Sequence, residues 1–172
     1  MKKLFIPLIV SFCTILFALP ANAQTNWVLK KIDNRISVKF PAEPSPIAEG
    51  VTGYKFLYTD SSLITASLAD LEQMGLDSAT LAGLIETEEF FEQFKVGLTG
   101  QTPDAEITKS VIVKWNNYVA YEIEGVDKSK NQKIFFKCIF IGAKMYVFSC
   151  IFNSTTDILQ KETYFKSIEL TK

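Results

Sequence analysis

The chain contains no histidine among its 172 residues. That excludes the Ser-His-Asp and Cys-His arrangements of nucleophilic catalysis and every His-ligated zinc site. Cysteine is scarce, at three residues, and no Cys-x-x-Cys pair occurs. Neither a thiolate metal site nor a dithiol redox motif is spelled out. Glycine numbers only eight. Gly50 to Gly53 reads Gly-Val-Thr-Gly with no lysine or helix start behind it, so a phosphate-cradling loop is not expected. No long basic run occurs either. Nucleic acid and anionic membrane are therefore not expected partners.

Beyond the first two dozen residues no apolar run is long enough to span a bilayer. The first segment itself has a clear organisation. Met1-Lys2-Lys3 is basic, Leu4 to Leu19 is almost wholly apolar, and Ala21-Asn22-Ala23 follows Pro20 as a small-x-small pattern. This predicts a secretory signal peptide over residues 1–23, with a mature start at Gln24. Pro7 and Pro20 and the short apolar run argue against a membrane anchor. Cys13 follows Phe12 in mid-run, away from the cleavage site, so a lipoprotein is not expected. Cleavage removes two of the 18 basic residues and none of the 19 acidic ones, leaving the mature chain slightly acidic. The expectation is an exported protein, periplasmic or extracellular, with one domain over residues 24–172.

With Cys13 removed, Cys138 and Cys150 remain, and an oxidising compartment makes a disulfide between them a candidate. They flank a turn at Gly142-Ala143-Lys144. A two-residue loop pairs Ile141 with Lys144 and sets the cysteines on opposite faces. A three-residue loop centred on Lys144 sets them opposite each other. The alternative is two buried thiols acting as small hydrophobes.

The rest of the chain alternates strand and helix signals. Trp27 to Lys31 reads as a short strand. Ile36, Val38 and Phe40 alternate with polar residues, and Pro41, Pro44 and Pro46 then enforce an extended loop. Tyr54, Phe56 and Tyr58 alternate again, and Leu63 to Ala69 returns beyond an Asp60-Ser61-Ser62 turn. One long helix is expected from a cap at Asp77 or Ser78 to Gly97 or Gly100, with Leu81, Leu84, Ile85, Phe91, Phe94 and Leu98 in one stripe. Strands Ile107–Trp115 and Val119–Val126 follow, around Asn116-Asn117. A loop that includes Tyr118 pairs Trp115 with Val119, Val113 with Tyr121 and Val111 with Ile123. That register gives one clean apolar face and is the expected one. Ile134–Ile141 and Met145–Phe152 are apolar on both faces and are expected at the sheet centre. A last helix, capped at Thr155 or Thr156, should turn Ile158, Leu159 and Phe165 inward. Ser167 to Leu170 closes the chain as a short strand.

Hairpins dominate this order, and doubly apolar strands need cover on each face. The expected fold class is α+β, a mainly antiparallel sheet with helices on both faces.

Three segments carry a resemblance. Ile36-Ser37-Val38-Lys39-Phe40-Pro41 runs a strand into prolines, and Gly142-Ala143-Lys144-Met145-Tyr146 sits within an apolar hairpin. Tyr164-Phe165-Lys166-Ser167-Ile168-Glu169-Leu170 ends the chain. In these and in element order the chain resembles the PsbP-like superfamily of small exported proteins, named for an extrinsic subunit of photosystem II. The resemblance implies an α/β/α sandwich and mostly non-enzymatic binding or assembly roles. It transfers no functional residue.

Candidate sites are few, and no cofactor is expected. Trp115, Asn116, Asn117 and Tyr118 could form an aromatic recognition rim at a hairpin tip. The alternative is that Trp115 and Tyr121 share a face and fill the core under the helix. Glu86, Glu88, Glu89 and Glu92 read as a solvated helix face in preference to a cation site or an acid–base pair. Lys128, Lys130 and Lys133 read as a polar hairpin tip. The expected function is a non-enzymatic module that binds a protein or envelope partner. The alternative is a carrier of an apolar small molecule, held between the sheet and the long helix; a hydrolase using carboxylates alone ranks last.

Overall fold

The computed structural model describes residues 27–100, 104–153 and 158–171. The segment read as a signal peptide and the caps expected at Thr155 or Thr156 lie outside these residues.

Seven strands form one antiparallel sheet in the order β3 (Ser45–Pro46), β4 (Gly53–Leu57), β5 (Leu63–Asp70), β9 (Lys144–Asn153), β8 (Gln132–Ile141), β7 (Tyr118–Asp127) and β6 (Ala105–Trp115). The two strands apolar on both faces, β8 and β9, lie inside this sheet, where both faces are covered. On one face sit α1 (Ser78–Leu84) and α2 (Glu88–Gly100). On the other sit α3 (Ile158–Lys166) and a small sheet of β1 (Val28–Lys31), β2 (Ile36–Phe40) and β10 (Glu169–Leu170). This is the expected α+β architecture, a mainly antiparallel sheet between helices.

Each face has its own core. Under α1 and α2, Phe91 and Phe94 pack on Tyr121, and Tyr121 packs on Phe140. Leu81, Ile85 and Ile123 are buried beside them. Under α3, Tyr164 packs between Phe40 of β2 and Phe148 of β9 and donates its hydroxyl to the Thr65 carbonyl at 2.6 Å. Asp33, in the turn between β1 and β2, ties the small sheet to the large one. Its carboxylate accepts from the amides of Arg35 and Ile36, from the Tyr146 hydroxyl at 2.7 Å and from Lys144.

Three expectations are corrected, and one open alternative is decided. The long helix is broken into α1 and α2 at Ile85–Thr87. Asp77 caps α1, accepting from the Thr80 amide, but Thr87 starts a second cap by accepting from the Phe90 amide. The same Thr87 hydroxyl donates to the Leu84 carbonyl, so a short polar side chain competes with the helix backbone and ends the first segment.

The β6–β7 register differs as well. Asn116 and Asn117 alone form the turn, at φ of 46° and 69°, and Trp115 pairs with Tyr118, Val113 with Ala120 and Ile112 with Tyr121. Asparagine tolerates the left-handed region, so the pair suits the two-residue turn that matches strand twist. Because the sheet is covered on both sides, no clean apolar face is required. Trp115 and Tyr121 consequently lie on opposite faces, in different cores.

The β8–β9 loop is the two-residue one, Gly142-Ala143, with Gly142 at φ 61°. Cys138 lies opposite Val147 and Cys150 opposite Phe135. The cysteines point to opposite faces, and both are free and buried. The sheet stands between them, so the disulfide does not form.

Leu159, expected inward, is 65% exposed. The inward stripe of α3 runs through Lys161, Tyr164 and Phe165 towards Ile168, so a lysine occupies a slot that hydrophobicity alone assigns elsewhere.

Candidate functional site

A surface feature that side chains of opposite character share lies beside α3. An open cleft of about 370 Å³ runs between that helix and the exposed part of β7 and β8. Trp115 stands at its β6 side and Phe165 on its helix side, and Phe135 lies in its lining with Ile168.

The cleft arises from strand alternation. In β7, Glu122 and Glu124 alternate with buried Tyr121 and Ile123, and so face α3. Lys137 is the one charged residue between Ile134 and Ile141 of β8, and the register sets it directly opposite Glu122. Their side chains meet at 2.9 Å, and the Lys137 ammonium lies 5.8 Å from the Phe165 ring centre. One turn along, Lys161 of α3 pairs with Glu124 at 3.6 Å and Glu162 at 3.4 Å, and stands 4.5 Å from the Phe135 ring centre. Lys109 of β6 reaches Glu124 from outside at 3.7 Å. The side chains of Lys137 and Lys161 are only 14% and 12% exposed. Partial burial beside an aromatic face strengthens both the ion pairs and the cation–π contacts.

This arrangement suits recognition. It presents fixed positive and negative groups over a rigid aromatic floor, and half-buried Trp115 and Phe165 offer area to a partner at little cost in side-chain freedom. Among the described residues, no group of three or more His, Cys, Asp and Glu side chains is placed to hold a metal.

The structure divides the expected rim. Trp115 joins the cleft, Tyr118 packs half-buried on the core of the same face, and Asn116 and Asn117 are exposed at the turn. The asparagines serve backbone geometry. The cleft's charged members were not among the sequence candidates. The signal for Lys137 was present, as a lone lysine inside an apolar run; Lys161 offered none, since it reads as an ordinary surface residue.

The other candidates are dispersed. Glu86 pairs with Lys114 and Glu92 with Lys95, while Glu88 and Glu89 are exposed at the start of α2. Lys128 pairs with Glu106 and Lys130 with Asp127. Beneath α2, where the alternative carrier reading places its pocket, a void of about 20 Å³ is lined by Leu98, Ile107, Ile134 and Phe136. That is room for about one water molecule. No helix of the described residues is long and apolar enough to cross a membrane.

No family model matches the chain, and no curated protein sequence matches it. Among solved structures it is similar to cyanobacterial PsbP (CyanoP) from Synechocystis sp. PCC 6803, in solution. The two superpose with a TM-score of 0.55 over 91% of this chain and 99% of the other, at 10% sequence identity. The chain has a PsbP-like fold, in agreement with the resemblance read from its sequence. At this identity the likeness concerns fold alone.

Proposed function

We propose that this PsbP-like chain is an exported, non-enzymatic binding module that holds a protein partner of the cell envelope or exterior in the cleft beside α3. The observation that carries the reading is the cleft itself: open to solvent, floored by aromatic rings, and edged by the Lys137–Glu122 and Lys161–Glu124 pairs. Export rests on the organisation of residues 1–23. The carrier reading is the weaker one, because the enclosed space beneath α2 is far below the ~300 Å³ that small-molecule pockets begin at, and the larger groove between α2 and β6 is open and edged by Glu92, Lys95 and Lys109.

Site-specific photo-crosslinking in the native host tests this. A photoreactive residue replaces Asn117, exposed in the turn two residues from Trp115, or Glu72, exposed elsewhere. A discrete adduct from position 117, absent from position 72 and lost in Trp115→Ala, is the expected result. Identical adducts from both positions, or none, would overturn the site. An apolar small molecule retained in the native mass spectrum would favour the carrier. Amino-terminal sequencing of the protein recovered outside the cytoplasm should begin at Gln24.

A further inference from the structure

We infer that the free edge of β6 pairs with the same edge of a second copy, joining two seven-stranded sheets across a two-fold axis at Ile112. This goes beyond the cleft reading and does not depend on it.

β6 is the last strand of the large sheet and is eleven residues long, against two at the opposite edge. Among the described residues, no backbone hydrogen bond leaves its outer side. The two-residue turn makes Trp115 and Tyr118 a hydrogen-bonded pair, so Val113 and Val111 also bond towards β7. The amides and carbonyls of Ser110, Ile112 and Lys114 therefore face outward. Such an edge templates strand addition unless something blunts it.

The usual guards are placed elsewhere or are occupied. The bulge between Ile107 and Lys109 disrupts the first third of the strand and leaves Lys109 to Trp115 regular. Lysines commonly protect edges, but Lys114 is drawn to Glu86 on one face and Lys109 to Glu124 on the other.

The regular stretch is complementary to itself. Antiparallel pairing about Ile112 sets Val111 against Val113, Ser110 against Lys114, and Lys109 against Trp115. No like charges stand directly opposite each other, two apolar pairs flank the centre, and each Lys109 ammonium meets an indole. The amide and carbonyl of Ile112 face outward, so the axis passes through a hydrogen-bonded pair. Open clefts on both sides leave room: α2 with its exposed Val96 borders one, and the cleft at Trp115 the other. A heterologous strand could use the same backbone groups, but the charge and apolar matching within this segment selects a second copy.

Disulfide trapping in the mature chain tests the register, since Cys138 and Cys150 are buried and do not interfere. Val111→Cys and Val113→Cys proteins are oxidised separately and as a mixture. The mixture should give cross-linked dimer in several-fold higher yield than either alone. In the unmodified protein, exchange at the amides of Ser110, Ile112 and Lys114 should slow as concentration rises. A monomer at every concentration with concentration-independent exchange would overturn the proposal. So would a dimer whose cross-linking shows no preference for the mixture, and so would an edge that only a strand of another protein protects.

Discussion

The Tyr121 hydroxyl donates a buried hydrogen bond to the carbonyl oxygen of Ile85 at 2.7 Å. Ile85 is the residue where α1 ends, so this carbonyl has lost its helical partner. Tyr121 reaches it from the centre of β7, between Phe91 and Phe140. The break in the helix and the tyrosine in the sheet are thus one feature. Burial pushes the Tyr121 hydroxyl well above its ordinary pKa, so it remains a donor at physiological pH. Tyr121→Phe should keep the ring packing, leave the Ile85 carbonyl unpaired, and cost about 1–3 kcal/mol. Urea unfolding followed by circular dichroism measures it; an unchanged midpoint would mean that water replaces the hydroxyl.

Asp33 predicts a pH dependence. Burial raises its pKa, but bonds from the Tyr146 hydroxyl, the Arg35 and Ile36 amides and Lys144 outweigh this and hold it below the ordinary carboxylate range. A folded pKa lower than the unfolded one stabilises the protein above the unfolded value, about 4. That contribution disappears as pH falls through the lower folded value. Asp33→Asn should destabilise at pH 7 by roughly 1.5–3 kcal/mol, the range for hydrogen bonds to a charged group. Its deficit should shrink in acid. Thermal melts of both proteins between pH 2 and pH 7, an interval of about five units around that carboxylate range, would show the two curves converging. Parallel curves would exclude the carboxylate as the cause.

The two cysteines should be chemically silent in the native state. Burial pushes the Cys138 thiol up to about 12 and raises Cys150 further, so neither forms thiolate at neutral pH. A thiol-reactive chromogen should titrate neither cysteine in buffer and both in denaturant. The intact mass of the protein purified from its native host should equal that of the dithiol form.

The Asn116-Asn117 turn offers a stabilising substitution. Both residues hold positive φ, which glycine adopts without the Cβ penalty. Asn117→Gly should raise stability by about 0.5–1 kcal/mol, and Asn117→Val should lower it by ~1 kcal/mol or more. Paired urea titrations decide the matter. Equal midpoints for both variants would show that the turn carries no strain.

The sequence by itself determined what local chemistry fixes. Alternation placed the strands, two-sided apolarity placed β8 and β9 inside the sheet, and the choice of Asp77 or Ser78 as a cap marked where the first helix starts. The missing histidine restricted the available catalysis before any coordinates. Registers and faces were different. Whether Tyr118 belongs to the turn, or whether Cys138 and Cys150 share a face, changes with a shift of one residue, and one residue exchanges the two faces of a strand. The criterion of one clean apolar face fails in a sheet covered on both sides, because either assignment buries its apolar residues. The cleft was hidden for a related reason. Lys137 and Lys161 read as surface charges until β7 supplies Glu122 and Glu124 and the rings of Phe165 and Phe135 cover their stems. Pairing between elements far apart in sequence is a property of tertiary structure, and only that structure decided it.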